Sequence, residues 1–145
     1  MSKTERFLTA DQEKRIVEAI RIAEKTTSGE IRVHLEESTK LDPIERAKEV
    51  FHLLKMDLTE LHNGVLIYVA IADRNFVIYG DQGINDVVPS DFWEATRDVI
   101  LLHFKKEDFT QGLIDGILLA GKQLQEHFPW DQNDTNELSN EISIG

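Results

Sequence analysis

The sequence predicts an α/β fold, namely a three-layer α/β/α sandwich around a small mixed sheet. Apolar residues recur at helix or strand spacing in the order helix, strand, helix, strand, strand, helix, helix. A helix between the first two strands predicts a right-handed parallel crossover. A short polar connection between the second and third strands predicts an antiparallel hairpin strand. Helices that cover both faces of such a sheet make three layers.

The first helix is expected to begin near Ala10. Thr9 and Gln12 have the spacing of a capping box, in which each side chain bonds to the backbone N–H of the other residue. One side of the helix then carries the apolar residues Ile16, Ala19, Ile20 and Ala23. The β-branched residues and the glycine of segment 26–29 disfavour its continuation, so the helix ends there.

The first strand is predicted over residues 30–37, where polarity alternates. Ile31, Val33 and Leu35 point to one side, and Arg32, His34 and Glu36 point to the other. This pattern predicts one covered face and one wetter face. A second helix then opens with Asp42 as its N-cap and Pro43 at its first position. Its predicted buried stripe consists of Ile44, Ala47, Val50, Phe51 and Leu54.

The second and third strands form the predicted hairpin. Residues 65–72 are almost continuously apolar, which is typical of a central strand covered on both faces. Residues 73–75 are polar and short, and residues 76–79 resume the strand pattern. The polar turn therefore places Asp73 and Arg74 at the tip of the hairpin.

Two helices complete the predicted fold. The third is expected to start at Ser90 or Asp91, because Asp91 and Glu94 have capping-box spacing. Its predicted apolar side carries Phe92, Ala95, Val99, Leu102 and His103. The fourth begins with a similar Asp108–Gln111 pattern and continues through Leu113, Ile117, Ala120 and Leu124.

A length of 145 residues is typical of a single domain, which we expect to cover residues 9–128. Residues 126–145 contain five acidic residues and neither lysine nor arginine. We therefore expect residues 129–145 to form a flexible acidic tail.

Charge and composition exclude several classes of function. Sixteen basic and 27 acidic residues give a net charge of −11, which disfavours binding to nucleic acid. No cysteine is present, so disulfides, thiolate metal sites and cysteine nucleophiles are excluded. The N-terminus turns polar at once and the apolar runs are short, which argues against a signal peptide and membrane insertion. We expect a cytoplasmic location.

Five segments resemble the TPM domain family, named after thylakoid lumen, photosystem-repair and worm membrane proteins. They are Ser28-Gly29-Glu30-Ile31, Asn63-Gly64-Val65-Leu66-Ile67, Asp73-Arg74, Gly80-Asp81-Gln82-Gly83-Ile84 and the stretch from Phe109 to Gly116. The resemblance covers almost the whole chain. Many relatives carry a signal peptide and a membrane helix, whereas this chain resembles a stand-alone form. The resemblance implies a Rossmann-like fold, binding of Ca²⁺ or Mg²⁺ and, from a plant member, acid phosphatase activity.

The predicted topology gathers a candidate metal site at one edge of the sheet. Strands one and two both end at the edge where open α/β sheets bind ligands, and the last long helix begins there. The candidate ligands are Glu36, Glu37, Asp73 and Asp108. Carboxylate oxygens suit Ca²⁺ or Mg²⁺ better than Zn²⁺. The alternative is that Asp108 only caps its helix and Asp73 only shapes the turn.

Asp73 and Arg74 are also the candidate catalytic residues. A metal-dependent phosphatase needs a metal ligand or a nucleophile, and Asp73 is the candidate for this role. It also needs a cation that stabilises the negative charge of the transition state, and Arg74 is the candidate. An arginine fork matches phosphate oxygens. The alternative is a surface Arg74 paired with Glu36 or Glu37. No histidine is predicted nearby as a general acid, and His103 is expected to be packed rather than ligating.

A second candidate metal loop lies at the opposite edge and contains Asp81, Asn85 and Asp86. It lacks the spacing of an EF-hand. The leading hypothesis is therefore a domain that binds divalent cations and has weak phosphomonoesterase activity toward a phosphorylated small molecule. The alternative is a non-enzymatic interaction or regulatory module, with a protein partner and a structural cation.

Overall fold

The computed structural model describes residues 3–131 and 137–145. In these residues a four-stranded mixed sheet forms the middle layer of the protein. The strands are β1 (Glu30–Glu36), β2 (Gly64–Ala70), β3 (Asn75–Gly80) and β4 (Ser143–Ile144), in the spatial order β3-β2-β1-β4. The predicted α/β sandwich is confirmed.

The strand pairing agrees with the predicted topology. β1 and β2 are parallel from Glu30↔Gly64 to Glu36↔Ala70, and β2 and β3 are antiparallel. All residues of β2 are buried, as expected for a central strand between two helical layers. The crossover and the hairpin place the ends of β1 and β2 at one edge of the sheet, which we call the upper edge.

Within the described residues, five α-helices and one 3-10 turn cover the sheet. They are α1 (Ala10–Glu24), α2 (Pro43–Leu53), a 3-10 turn (Met56–Leu58), α3 (Gln82–Asn85), α4 (Glu94–Lys105) and α5 (Phe109–Gln125). Helices α1, α4 and α5 enclose the larger core, whereas α2 packs over a smaller one formed with β2 and β3. The predicted capping box at Thr9 and the Asp42 N-cap are both present.

Helix α4 differs from its prediction. It begins at Glu94, without a side-chain cap, and it buries Thr96, Ile100 and Phe104. Leu102, predicted to face the core, is 55% exposed. The physical reason is a close approach of α5, since a Cβ on Gly116 would lie 2.5 Å from Ile100 Cγ1. Because Gly116 has no side chain, α4 can pack with its Ile100 face against α5.

Two further predictions about the helices are wrong. Ile44 on α2 is 59% exposed, because α2 turns only Ala47, Val50 and Phe51 inward. Asp108 makes no side-chain cap to α5. The amide of Gln111, predicted to complete that capping box, donates instead to Asp115 Oδ1 at 2.7 Å.

The end of the predicted tail contains a short strand. Ser143–Ile144 pairs in parallel with β1, and the backbone N–H of Leu138 donates to Glu30 Oε1 at 2.8 Å. This segment and α2 cover the β1 face predicted to be wet, so His34 and Glu36 are each 5% exposed. Residues 132–136 of the predicted tail lie outside the described residues.

Across residues 3–131 and 137–145, none of the helices combines the length and apolar character needed to cross a membrane.

Candidate functional site at the upper edge

The loop after β1 and the tip of the β2–β3 hairpin lie side by side. The backbone N–H of Ala72 donates to the carbonyl oxygen of Glu37 at 2.7 Å. The backbone N–H of Thr39 donates to Asp73 Oδ2 at 3.2 Å. Asp73 therefore helps to fix the loop that carries Glu37, a contact different from the predicted role in shaping its own turn.

An ion pair joins the hairpin tip to the segment that precedes α5. Arg74 Nη2 lies 3.1 Å from Glu107 Oε1, and the two side chains are 73% and 64% exposed. The expected pairing of Arg74 with Glu36 or Glu37 is therefore wrong, since its partner is Glu107. Because Glu107 precedes Asp108, the hairpin tip and the start of α5 lie at the same edge of the molecule.

Both partners of this ion pair have left-handed backbone conformations. The φ angle is 54° at Arg74 and 60° at Glu107. A residue with a Cβ pays about 1–2 kcal/mol for this conformation. Such strain is found frequently at functional sites, where the surrounding structure holds it. The upper edge thus combines strained backbone with exposed charge.

A histidine also lies beside the upper edge, contrary to the sequence prediction. His103 Nε2 is 3.0 Å from Asp115 Oδ2, and His103 Nδ1 is 3.9 Å from Asp108 Oδ2. The His103 side chain is 24% exposed. The short connection between α4 and α5 could have indicated this position of His103. It folds the last turn of α4 against the first turn of α5.

Glu36 belongs to a different, buried arrangement, which we call the Glu36 network. Arg46 donates to both carboxylate oxygens of Glu36 at 2.9 Å, and the Tyr68 hydroxyl donates to Oε2. His34 Nε2 lies 3.1 Å from Oε1. The imidazole of His34 also stacks on the ring of Tyr68, with centroids 5.9 Å apart. Both oxygens of Glu36 are thus occupied by side chains of the protein.

The network shifts the pKa values of its members. Burial raises the pKa of Glu36, but the hydrogen bonds from Arg46, Tyr68 and His34 outweigh burial and hold it at about 2. Burial lowers the pKa of His34, with Glu36 opposing this effect. Burial and the bond to Glu36 raise the pKa of Tyr68. At neutral pH Glu36 is therefore a carboxylate.

The ionised state of Glu36 fixes the roles of the His34 nitrogens. A carboxylate only accepts hydrogen bonds, so Nε2 of His34 carries a hydrogen. In neutral His34, Nδ1 is then an acceptor and receives the hydroxyl hydrogen of Ser143, whose Oγ is 2.9 Å away. The Glu36 network thus extends to β4 and helps to hold the C-terminal segment against β1.

The upper edge does not contain a ready-made metal shell. In the part of the chain that the structure describes, no group of three histidine, cysteine, aspartate or glutamate side chains has metal-binding geometry. Glu37, Asp73 and Asp108 share an edge but are not gathered around one point. Their role as ligands stays a prediction, as does that of Glu36, whose oxygens already have partners.

The second predicted metal loop, at the opposite edge, has mainly local contacts. Asp81 Oδ1 accepts the backbone N–H of Gln82 at 2.7 Å and caps α3. Asp81 Oδ2 is buried without a hydrogen bond and lies 3.6 Å from His62 Nδ1. Asn85 donates its amide to the carbonyl of Gly80, and Asp86 is exposed. Metal binding by Asp81, Asn85 and Asp86 stays a prediction.

Glu24 is a titratable residue that sequence reasoning did not single out. Its Oε2 accepts the backbone N–H of Ile31 at 3.0 Å. Burial raises the pKa of Glu24 to about 7, and the nearby charge of Glu30 acts in the same direction. Glu24 lies at the end of α1. It differs from the other acidic residues of this helix in its burial against the start of β1, which the sequence does not show.

A model of the TPM domain family matches residues 1–123. The structure is similar to the NMR structure of the BA42 protein from Bizionia argentinensis, with 62% identity over 100% of both chains and a TM-score of 0.94.

Two more distant solved structures share the fold alone. The N-terminal domain of the cg2496 protein from Corynebacterium glutamicum is 12% identical, with a TM-score of 0.64 over 95% of this chain and 80% of that one. The N-terminal domain of a P. gingivalis protein is 18% identical, with a TM-score of 0.69 over 83% and 78%. A search of curated proteins gives no significant match. From the match to the family model, the chain belongs to the TPM domain family.

Proposed function

We propose that this TPM domain binds a divalent cation, Ca²⁺ or Mg²⁺, through the carboxylates of Glu37, Asp73 and Asp108. The observation that carries the proposal is the ion pair between Arg74 and Glu107, which ties the hairpin tip to the start of α5. Hard oxygen ligands with exposed, hydrated surroundings suit these two ions. Glu36 is left out of the proposed site because its oxygens already accept hydrogen bonds.

The proposed site is expected to bind weakly. The carboxylates have to move together, and water has to complete the coordination shell. Sites of low rigidity have dissociation constants of about 10⁻⁴–10⁻³ M. Calorimetric titration of the full chain with CaCl₂ or MgCl₂ tests this expectation.

The Asp73→Asn variant should lower the cation affinity at least fivefold, because it removes one of the three proposed anionic ligands. Glu126→Gln is a matched control, because it also removes one negative charge at an exposed position, at the far end of α5. Equal losses in the two variants would show only general attraction by a net charge of −11 and would contradict the proposed site.

We further propose a slow acid phosphatase activity at the same edge. The name of the matching family model contains the word phosphatase. The bound cation would supply polarisation of a phosphate oxygen. Arg74 would hold the phosphate through its guanidinium fork, and His103, beside Asp108, would supply or accept a proton.

Release of nitrophenol from p-nitrophenyl phosphate measures this activity. Asp73→Asn and His103→Gln should each lower kcat/KM at least tenfold, whereas Glu126→Gln should not change it. An unchanged rate in both variants would contradict a phosphatase site at this edge.

A non-enzymatic interaction module with a structural cation is the second candidate function. Three leucines near α2 favour it, since Leu53, Leu58 and Leu61 are 67%, 70% and 51% exposed. Exposed apolar patches are frequent at protein interfaces. Cation binding without phosphate release, in a chain with all proposed residues intact, would favour this function over the first.

A further inference from the structure

Arg32, on β1, is a half-buried cation without a counterion. Its Nε atom is fully covered and makes no hydrogen bond. Within residues 3–131 and 137–145, no carboxylate forms an ion pair with its guanidinium. Part of the side chain still reaches the surface. Buried charges are normally paired, because removing them from water costs free energy that only a partner restores.

Nearby Arg46 is a direct comparison. Its guanidinium is held by two oxygens of Glu36 and by Glu49, and the bond to Glu36 raises its pKa. Burial lowers the pKa of Arg32, and no acidic group offsets this effect. In the part of the chain that the structure describes, Arg32 is thus a half-buried arginine whose guanidinium pairs with no acidic side chain.

The charged neighbours of Arg32 on β1 are engaged with other groups. His34 follows two residues later on the same face of β1, and the charges of Arg46 and Arg32 both disfavour its protonation. The single charge of Glu36 is already engaged by Arg46. Glu30, two residues before Arg32 on the same face, accepts the backbone N–H of Leu138 at 2.8 Å and forms no ion pair with Arg32.

We propose that Arg32 binds an oxyanion, either a phosphate group or a carboxylate, at a site separate from the upper edge. The two Nη groups of a guanidinium present parallel N–H donors that match two oxygens of such a group. An oxyanion bound in this way supplies the counterion that the half-buried guanidinium lacks.

NMR titration of the full ¹⁵N-labelled chain at pH 7 and constant ionic strength tests the proposal. The probes are sodium phosphate, sodium acetate and sodium chloride. The Nε–Hε signal of Arg32 should shift and saturate with phosphate or acetate, and the ring signals of His34 should follow the same curve. Chloride should have no saturable effect. Tighter binding of phosphate than of acetate identifies a phosphate ligand, and the reverse identifies a carboxylate.

Variants distinguish this site from general anion binding. Arg32→Gln should weaken the affinity for the preferred anion at least tenfold, as followed on the His34 ring signals. Arg97→Gln is the matched control, because Arg97 is an exposed arginine on α4. It should leave the affinity unchanged.

Arg32→Lys retains the charge and removes the fork, so it should bind several-fold more weakly than the native chain. If Arg32→Gln does not fold, the affinity of Arg32→Lys alone tests the proposed site. Absence of a saturable shift at Arg32, or equal affinity in the native chain and the Arg32 variants, would overturn the proposal.

Discussion

Glu36 and Glu37 are consecutive residues with opposite environments. The Glu36 side chain is 6% exposed and accepts hydrogen bonds from Arg46, Tyr68 and His34. The side chain of Glu37 is 54% exposed, and its ion-pair partner is Lys3, at 3.8 Å. The buried carboxylate stabilises the fold, whereas the exposed one remains available to a ligand. The comparison teaches that the partners of an acidic residue, rather than its position at a strand end, decide its role.

The largest expected effect is the loss of the buried carboxylate. Glu36→Gln should lower the free energy of unfolding by about 3 kcal/mol, because the buried carboxylate that Arg46, Tyr68 and His34 surround is lost and Arg46 keeps only Glu49. Urea denaturation measures this change. Glu37→Gln is the matched control and should change stability by less than about 0.5 kcal/mol. Similar losses of stability in the two variants would contradict the distinction between a structural Glu36 and an available Glu37.

The dependence of stability on pH gives the next largest effect. The pKa of Glu36 is about 2 in the folded protein, against 4.5 for the free group, so stability is lost as pH falls from 4.5 toward 2. The pKa of Glu24 is raised from 4.5 to about 7, so stability is lost as pH rises from 4.5 to 7. These two groups together favour a maximum near pH 4.5.

Guanidinium chloride denaturation at pH 3, 4.5 and 7.5 checks these signs. Each full effect is on the order of 3 kcal/mol, since one unit of pKa is about 1.4 kcal/mol. Glu24→Gln should remove the decline above pH 4.5 and leave the acid side unchanged. A decline that persists in this variant would show that other groups control stability at neutral pH.

A smaller effect tests whether the Glu36 network holds the C-terminal segment. Ser143→Ala removes the hydrogen bond to His34 and should cost about 1 kcal/mol. Amide exchange should become faster at Gly145, whose N–H donates to the carbonyl of Leu35. Ser139→Ala is the comparison in the same segment, because it loses only the local bond from the backbone N–H of Glu141 and leaves His34 untouched. Equal exchange rates in both variants would contradict a role for His34.

The smallest effect concerns backbone strain at the upper edge. Glu107→Gly should stabilise the protein by up to about 1 kcal/mol, because glycine adopts the left-handed conformation without a Cβ penalty. Glu107→Gln, which loses the exposed ion pair but keeps the Cβ, should change stability by less than about 0.5 kcal/mol. Thermal denaturation distinguishes them, and a destabilised glycine variant would show that the conformation is not strained.

The sequence predicts the sheet better than it predicts the site. The apolar run of β2 and the polar turn at Asp73 specify a central strand and a hairpin, because their periodicity is local. The pairing of Ser143–Ile144 with β1 was not predicted, since two residues carry no periodic pattern. Alternation along β1 shows that His34 and Glu36 share a face but does not show what covers that face.

Electrostatic partners distant in the chain are also difficult to predict. Arg74 pairs with Glu107, 33 residues away, and both lie in turns with left-handed backbone that the sequence does not mark. His103 reaches Asp108 across a short connection whose geometry depends on how closely α4 approaches α5. The edge of the sheet is predictable from the order of strands, but the contacts within it depend on packing.

The most direct test of the central claim is an NMR titration of backbone amides with CaCl₂ or MgCl₂. If the exposed carboxylates bind the cation and Glu36 is structural, shifts should concentrate at residues 37–39, 73–74 and 107–108. The amides of His34 and Arg46 should move little. Saturable shifts concentrated at the Glu36 network or at residues 81–86, with none at the upper edge, would contradict the account.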